Sequence, residues 1–138
     1  MKRHAALIPL SREHHDGLIL ARLLRQDAPP YPGLPDTPEA KLQYAREQWE
    51  LHLLPHLEKE ESLLAPFVKQ HFKDQEANLE RMFRDHAKLR EGMLTLNVTI
   101  ATQDAWGRLL EEHIRWEERI WFAELQEKAE LLSQLHIG

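Results

Sequence analysis

Apolar residues recur along this chain at alternating steps of three and four, the period of a helix with one buried face. Leu79, Met82, His86, Leu89, Met93, Leu96 and Ile100 form one such stripe and predict a helix from about Asp74 to Ile100, with His86 its only polar member. Leu42, Ala45, Trp49, Leu53, Leu63 and Phe67 form another. They predict a helix from Pro38 to about His71, opened by Thr37 as N-cap with Pro38 at the first helical position. Pro55 and Pro66 lie inside it and are expected to bend it, or to split it near Pro66. Trp106, Leu110, His113, Glu117 and Ile120 predict a helix from about Gln103 to Lys128 with Thr102 as cap. Leu18, Ala21 and Leu24 give an apolar side to a helix from Ser11, as N-cap, to about Gln26. The tail from Ala129 to Gly138 reads as a fraying continuation or a short extra helix.

Five prolines and a glycine between Ala28 and Pro38 exclude a helix there and mark the long connection. No strand pattern, low-complexity segment or repeat of 20–50 residues is apparent. The expected architecture is all-α: one domain over residues 1–138, an antiparallel up-and-down four-helix bundle with its core over about 11–128.

The chain has 138 residues, enough for one core. A net charge of −5 argues against a nucleic-acid partner. No run of 18 apolar residues is present, so no membrane span is expected. The six-residue apolar run near the start, broken by Pro9, is too short for a signal segment, and the cytoplasm is the expected location. There is no cysteine. Disulfides, thiolate metal sites, iron–sulfur clusters and a Cys nucleophile are excluded together, and any metal must be held by nitrogen and oxygen.

Nine histidines is a high number for this length. His56 and Glu60 stand four residues apart, which places them on one helix face, ~6 Å apart along the axis. That face also carries the second stripe, so it points inward. His113 and Glu117 repeat the spacing on the last helix, His86 sits on the third stripe, and the first helix offers His14. His15 is the alternate there, on a poorer face shared with Arg22 and Arg25. Four imidazoles and two carboxylates thus converge from four helices. Carboxylates can bridge two ions while imidazoles cap each end, which is how a bundle core builds a dinuclear iron or manganese site; zinc also suits such donors. A core histidine alone is ordinarily satisfied by a backbone hydrogen bond. A buried unpaired carboxylate costs on the order of several kcal/mol, so Glu60 and Glu117 need a cation or a shifted pKa; Arg84, Arg90, Arg115 and Arg119 are candidate counter-charges, but none sits on the central stripe. His52, one turn before His56, is an extra ligand, a support or a surface residue. His4, His71 and His136 read as surface residues.

The blocks R-E-H-H, P-H-L-E-K-E-E-S-L-L-A-P-F, R-D-H-A-K-L-R and E-E-H-I-R-W-E-E-R-I-W-F, in that order, resemble the hemerythrin-like HHE cation-binding domains over about Ser11 to Lys128. The resemblance implies an up-and-down bundle with a non-haem di-iron centre, two iron ions bridged by carboxylate and by oxo or hydroxo. His56, Glu60, His86, His113 and Glu117 match the family's metal positions, and His14 or His15 matches the first. Oxygen-carrying hemerythrins place a second histidine one turn from the third-helix ligand, where this chain has Met82 and Arg90. They end on an aspartate five residues after the last histidine, where this chain has a glutamate after four. The chain thus looks closer to members proposed to sense iron or oxygen, handle nitric oxide or peroxide, or store iron. The expected partners are metal ions and a small diatomic ligand, with no nucleic acid and no membrane, in a monomer or homodimer. Competing readings are a di-iron enzyme acting on peroxide, nitric oxide or oxygen, and a metal-free helical interaction module.

Overall fold

The computed structural model describes residues 2–138, and all its regular structure is helical, with no strand among them. The first helix, α1, spans Ile8–Leu24, with a proline in its first turn. Ser11 is not its cap: the helix begins earlier, from Leu7, and the Ser11 hydroxyl donates to Glu118 at 2.7 Å. The Pro9 ring presets the helical φ upstream of Ser11, which explains the earlier start. Arg25 is extended, so the helix closes just short of Gln26. The connection that follows carries Gly33 at φ +83°, a turn conformation suited to glycine.

The second rod, α2, is continuous over residues 38–71. Thr37 caps it as expected, its Oγ1 accepting the Ala40 N–H at 3.2 Å. It does not split at Pro66. α-Helical Pro38–Gln48, Leu54–Lys59 and Ala65–His71 are joined by π-helical turns at Trp49–Leu53 and Glu60–Leu64. The Leu54 N–H reaches the Trp49 carbonyl, and the Ala65 N–H the Glu60 carbonyl. Each proline is the second residue after one of these wider turns, which absorb the clash a proline ring makes with the preceding α-helical turn.

A π turn adds one residue to the helix, so the stripe beyond it moves on by one. Leu63, expected inward, is 43% exposed, and Leu64 takes its place at 0%; Phe67 is half-buried and Val68 is enclosed. The last long rod repeats the correction without a proline. Here α4 covers residues 100–126 as Ile100–Trp116, a π turn at Glu117–Trp121, and Phe122–Gln126. Ile120 is exposed while Trp121 and Phe122 are buried.

Between these rods α3 spans Glu76–Thr95, shorter than predicted. Asn97 ends it by turning its side chain on the backbone, accepting the Thr99 N–H at 2.8 Å. Ile100 therefore opens α4 as an exposed residue, and the cap is Thr99, not Thr102, whose N–H donates to the Thr99 side chain. After α4 a short α5, Ala129–Leu132, and the buried Leu135 and Ile137 fold back on the core beside Leu7 and Leu10.

Neighbouring rods run antiparallel. Arg3 binds Gln126 at one end of the α1–α4 pair, and the Gln26 N–H binds Asp104 at the other. Arg46 meets the Leu96 carbonyl between α2 and α3, and Gln75 meets Glu124 between α3 and α4. At the α1–α4 crossing a Cβ on Gly107 would lie 2.7 Å from the Ala21 carbonyl oxygen, so the close approach depends on glycine. The apolar interior falls into two clusters, one around Leu64, Met82, Trp121 and Phe122, the other around Leu53, Leu57, Leu89, Leu110 and Ile114. In α1 and α3 the expected donors His14 and His86 lie between the two clusters in the chain, in α2 Glu60 lies between Leu57 and Leu64, and in α4 His113 and Glu117 flank Ile114 and Trp116, where one cluster gives way to the other.

Candidate metal centre

His14, His56, Glu60, His86, His113 and Glu117 are all buried, at most 4% exposed. They form two groups whose ligand atoms lie within 4.8 Å of one another: His14, His56, Glu60 and Glu117, and Glu60, His86, His113 and Glu117. Both glutamates belong to both groups. Within each group the imidazoles meet edge to face, with centroids 4.8 Å apart for His14 and His56 and 5.0 Å for His86 and His113.

Every ring presents Nε2 to the inner glutamates. His14 Nε2 is 2.8 Å from Glu117 Oε1 and His86 Nε2 is 3.0 Å from Glu60 Oε1. His56 Nε2 stands 3.5 Å from Glu60 Oε2, and His113 Nε2 stands 3.4 Å from Glu117 Oε2. These last four atoms have no hydrogen-bond partner although they are buried. Unpartnered buried polar atoms of this kind are costly, and here two imidazole nitrogens and two carboxylate oxygens face one another without a hydrogen bond. All are donors suited to a divalent cation, so the residues present fit a metal pair.

The sequence reasoning missed a further set. His14 Nδ1 meets Glu118 at 2.7 Å, His56 Nδ1 meets Glu13 at 2.9 Å, His86 Nδ1 meets Glu61 at 2.7 Å and His113 Nδ1 meets Asp85 at 3.0 Å. A signal for them was present. Glu13 and Asp85 directly precede His14 and His86, while Glu61 and Glu118 directly follow Glu60 and Glu117.

The electrostatics follow from this packing. Burial pulls the His56 pKa down, but the Glu60 charge and the hydrogen bond to Glu13 outweigh it and push it up to about 10. His113 behaves alike: burial opposes, Glu117 and Asp85 prevail, and its pKa rises to about 10. Glu117 is held well below the ordinary carboxylate range, burial being overcome by His113 and His14. Without a cation, the carboxylates around His56 and His113 thus favour the protonated form of both rings.

His15 and His52 are exposed and join neither group. His71 is half-buried and packs on Phe67. His4 is likewise half-buried and binds the Ala6 N–H and the Ala129 carbonyl; His136 is exposed. Arg90, a candidate counter-charge for Glu60, instead forks onto Glu61 at 2.6 and 2.8 Å. No helix among the described residues is long and apolar enough to cross a membrane. No family model, curated protein or solved structure matches this chain.

Proposed function

We propose that this protein is a hemerythrin-like, non-haem di-iron protein that binds or senses a small diatomic ligand, or iron itself. The observation that carries the reading is the sharing of Glu60 and Glu117 between two four-donor groups, with His14 and His56 at one end and His86 and His113 at the other. Two carboxylates common to two clusters are what a dinuclear centre needs, and the antiparallel order of the four long rods suits an up-and-down bundle around it.

Iron in such a centre supplies a redox-active site for oxygen or nitric oxide. The chain's own residues do the rest. Four protein donors at each position leave an octahedral ion room for an outside ligand. Leu57, Leu89 and Ile114 in one apolar cluster and Met82, Leu64 and Phe122 in the other are all buried and lie close in the chain to the buried donors. The ring of Phe122 stacks on His14 at 5.6 Å. Donors this deeply buried favour a ligand of a few atoms. Nothing in the donor set names an organic substrate, which favours binding or sensing over a dedicated enzyme.

Elemental analysis of the purified chain, with its absorption spectrum, tests this. About two metal ions per chain are expected, with near-ultraviolet absorption from a bridged ferric pair. The His56→Ala, His113→Ala double variant, which removes one imidazole from each group, is expected to lose most of the bound iron. Unchanged iron in that variant would falsify the site. Turnover of peroxide or nitric oxide by the iron-loaded chain, absent without iron, would move the reading to an enzyme.

A further inference from the structure

The arrangement around the histidines occurs twice. In the first half of the chain an acidic residue precedes a histidine, Glu13 and His14, and the next rod carries His56 with Glu60 and Glu61 four and five residues on. In the second half Asp85 precedes His86, and the next rod carries His113 with Glu117 and Glu118 at the same spacing. The contacts repeat as well. The acidic residue before the histidine reaches across to the second-rod histidine of its own half: Glu13 to His56 and Asp85 to His113. The second glutamate of each pair reaches the first-rod histidine of the other half: Glu61 to His86 and Glu118 to His14. Four imidazoles therefore have four separate carboxylate partners, placed by one rule applied twice.

A carboxylate can only accept, so the Nδ1 facing it must donate. The ring is then fixed with Nε2 inward, and Nε2 is the atom left to ligate. Each outer carboxylate is itself held. Lys59 Nζ is 2.8 Å from Glu13, the Ser11 hydroxyl and Arg3 hold Glu118 at 2.7 and 3.3 Å, Arg90 forks onto Glu61, and Arg81 stands 3.6 Å from Asp85.

From this geometry we infer that Glu13, Glu61, Asp85 and Glu118 are the positioning residues of the metal centre, orienting its four imidazoles and setting the metal's affinity and reduction potential through them. The inference rests on the di-iron reading above. Partners of this type fix the tautomer and raise the basicity of the ligating nitrogen, and their loss typically costs ~10–100-fold in metal affinity.

The test uses the full chain loaded with ferrous iron without oxygen, then titrated with a competing chelator and, separately, poised electrochemically. Glu61→Ala and Glu118→Ala are each expected to weaken iron binding ~10–100-fold. Glu61→Gln and Glu118→Gln keep an acceptor for Nδ1–H but lose the charge. They are expected to recover most of the affinity while the reduction potential moves to more positive values, a change that a purely packing role does not produce. Glu112→Gln, at an exposed position on α4, serves as the control and leaves both unchanged. Circular dichroism identifies any alanine variant that fails to fold, in which case the glutamine pair decides. Wild-type affinity and potential in the glutamine and the folded alanine variants would overturn the positioning role and leave the di-iron reading standing. A wild-type chain that takes up no iron would overturn both.

Discussion

Glu60 and Glu117 are fully buried among imidazoles, and two of those rings set how the metal-free chain responds to pH. The pKa values of His56 and His113 are raised from 6.5 to about 10, so their protonated forms favour the folded state. That contribution is complete below pH 6.5 and is lost progressively as pH rises through about 10. The melting temperature of the metal-free chain is therefore expected to fall between pH 7 and 10. Iron-loaded chain, with a cation in place of those protons, is expected to change much less over the same range. Thermal melts followed by circular dichroism measure both, and equal slopes would contradict the site's electrostatics. Glu13 works at the other end of the scale. Its hydrogen bond to His56, opposed by partial burial and reinforced by Lys59, lowers its pKa from 4.5 to about 2. Its contribution is present above pH 4.5 and is lost as pH falls toward 2.

At the scale of the helix, the π turns decide which residues are core. Each inserts one residue, and two of them start at the glutamates that both donor groups share. The wide turn carries the chain past Glu60 and Glu117 and then restores an apolar face one position later than a regular helix gives. Leu64→Ala is expected to cost ~2–5 kcal/mol, as a truncated core leucine. Leu63→Ala, one residue earlier and exposed, is expected to stay within ~0.5 kcal/mol. A regular helix through Pro66 predicts the reverse order. Urea denaturation of the two variants therefore reads the phase of the helix directly.

For the whole molecule, each group of donors draws on three of the four long rods, so a cation in one group would tie α1, α2 and α4, a cation in the other α2, α3 and α4, and the pair all four. Such a ligand binds only the folded chain, and its binding free energy adds to folding stability by mass action, ~2.7 kcal/mol at a free concentration 100-fold above the dissociation constant. Stripping the metal with a chelator is expected to lower the melting temperature by several degrees, with recovery on adding ferrous iron back. Identical melting with and without chelator would point to the metal-free module instead.

The helical stripes up to each π turn, the Pro-rich connection, the Thr37 cap and the inner residues His56, Glu60, His86, His113 and Glu117 could all be read from the order of residues. Each depends on local spacing or on a single residue's geometry, and both are properties of the chain alone. His14 and His15 could not be separated that way, because both lie near the edge of a short apolar face and only packing against α4 buries one of them. The π turns were equally hidden: the hydrogen bond that moves from one carbonyl to the next is chosen by what the rod packs against and, in α2, by proline sterics. The outer carboxylates sit directly beside His14, Glu60, His86 and Glu117 in sequence, yet each serves a histidine on a different rod. That pairing exists only once the helices cross, since neighbours on a helix point 100° apart. Sequence thus determined which histidine and glutamate positions share an inward face, while tertiary packing chose between His14 and His15 and decided which atoms meet and which carboxylates hold the rings.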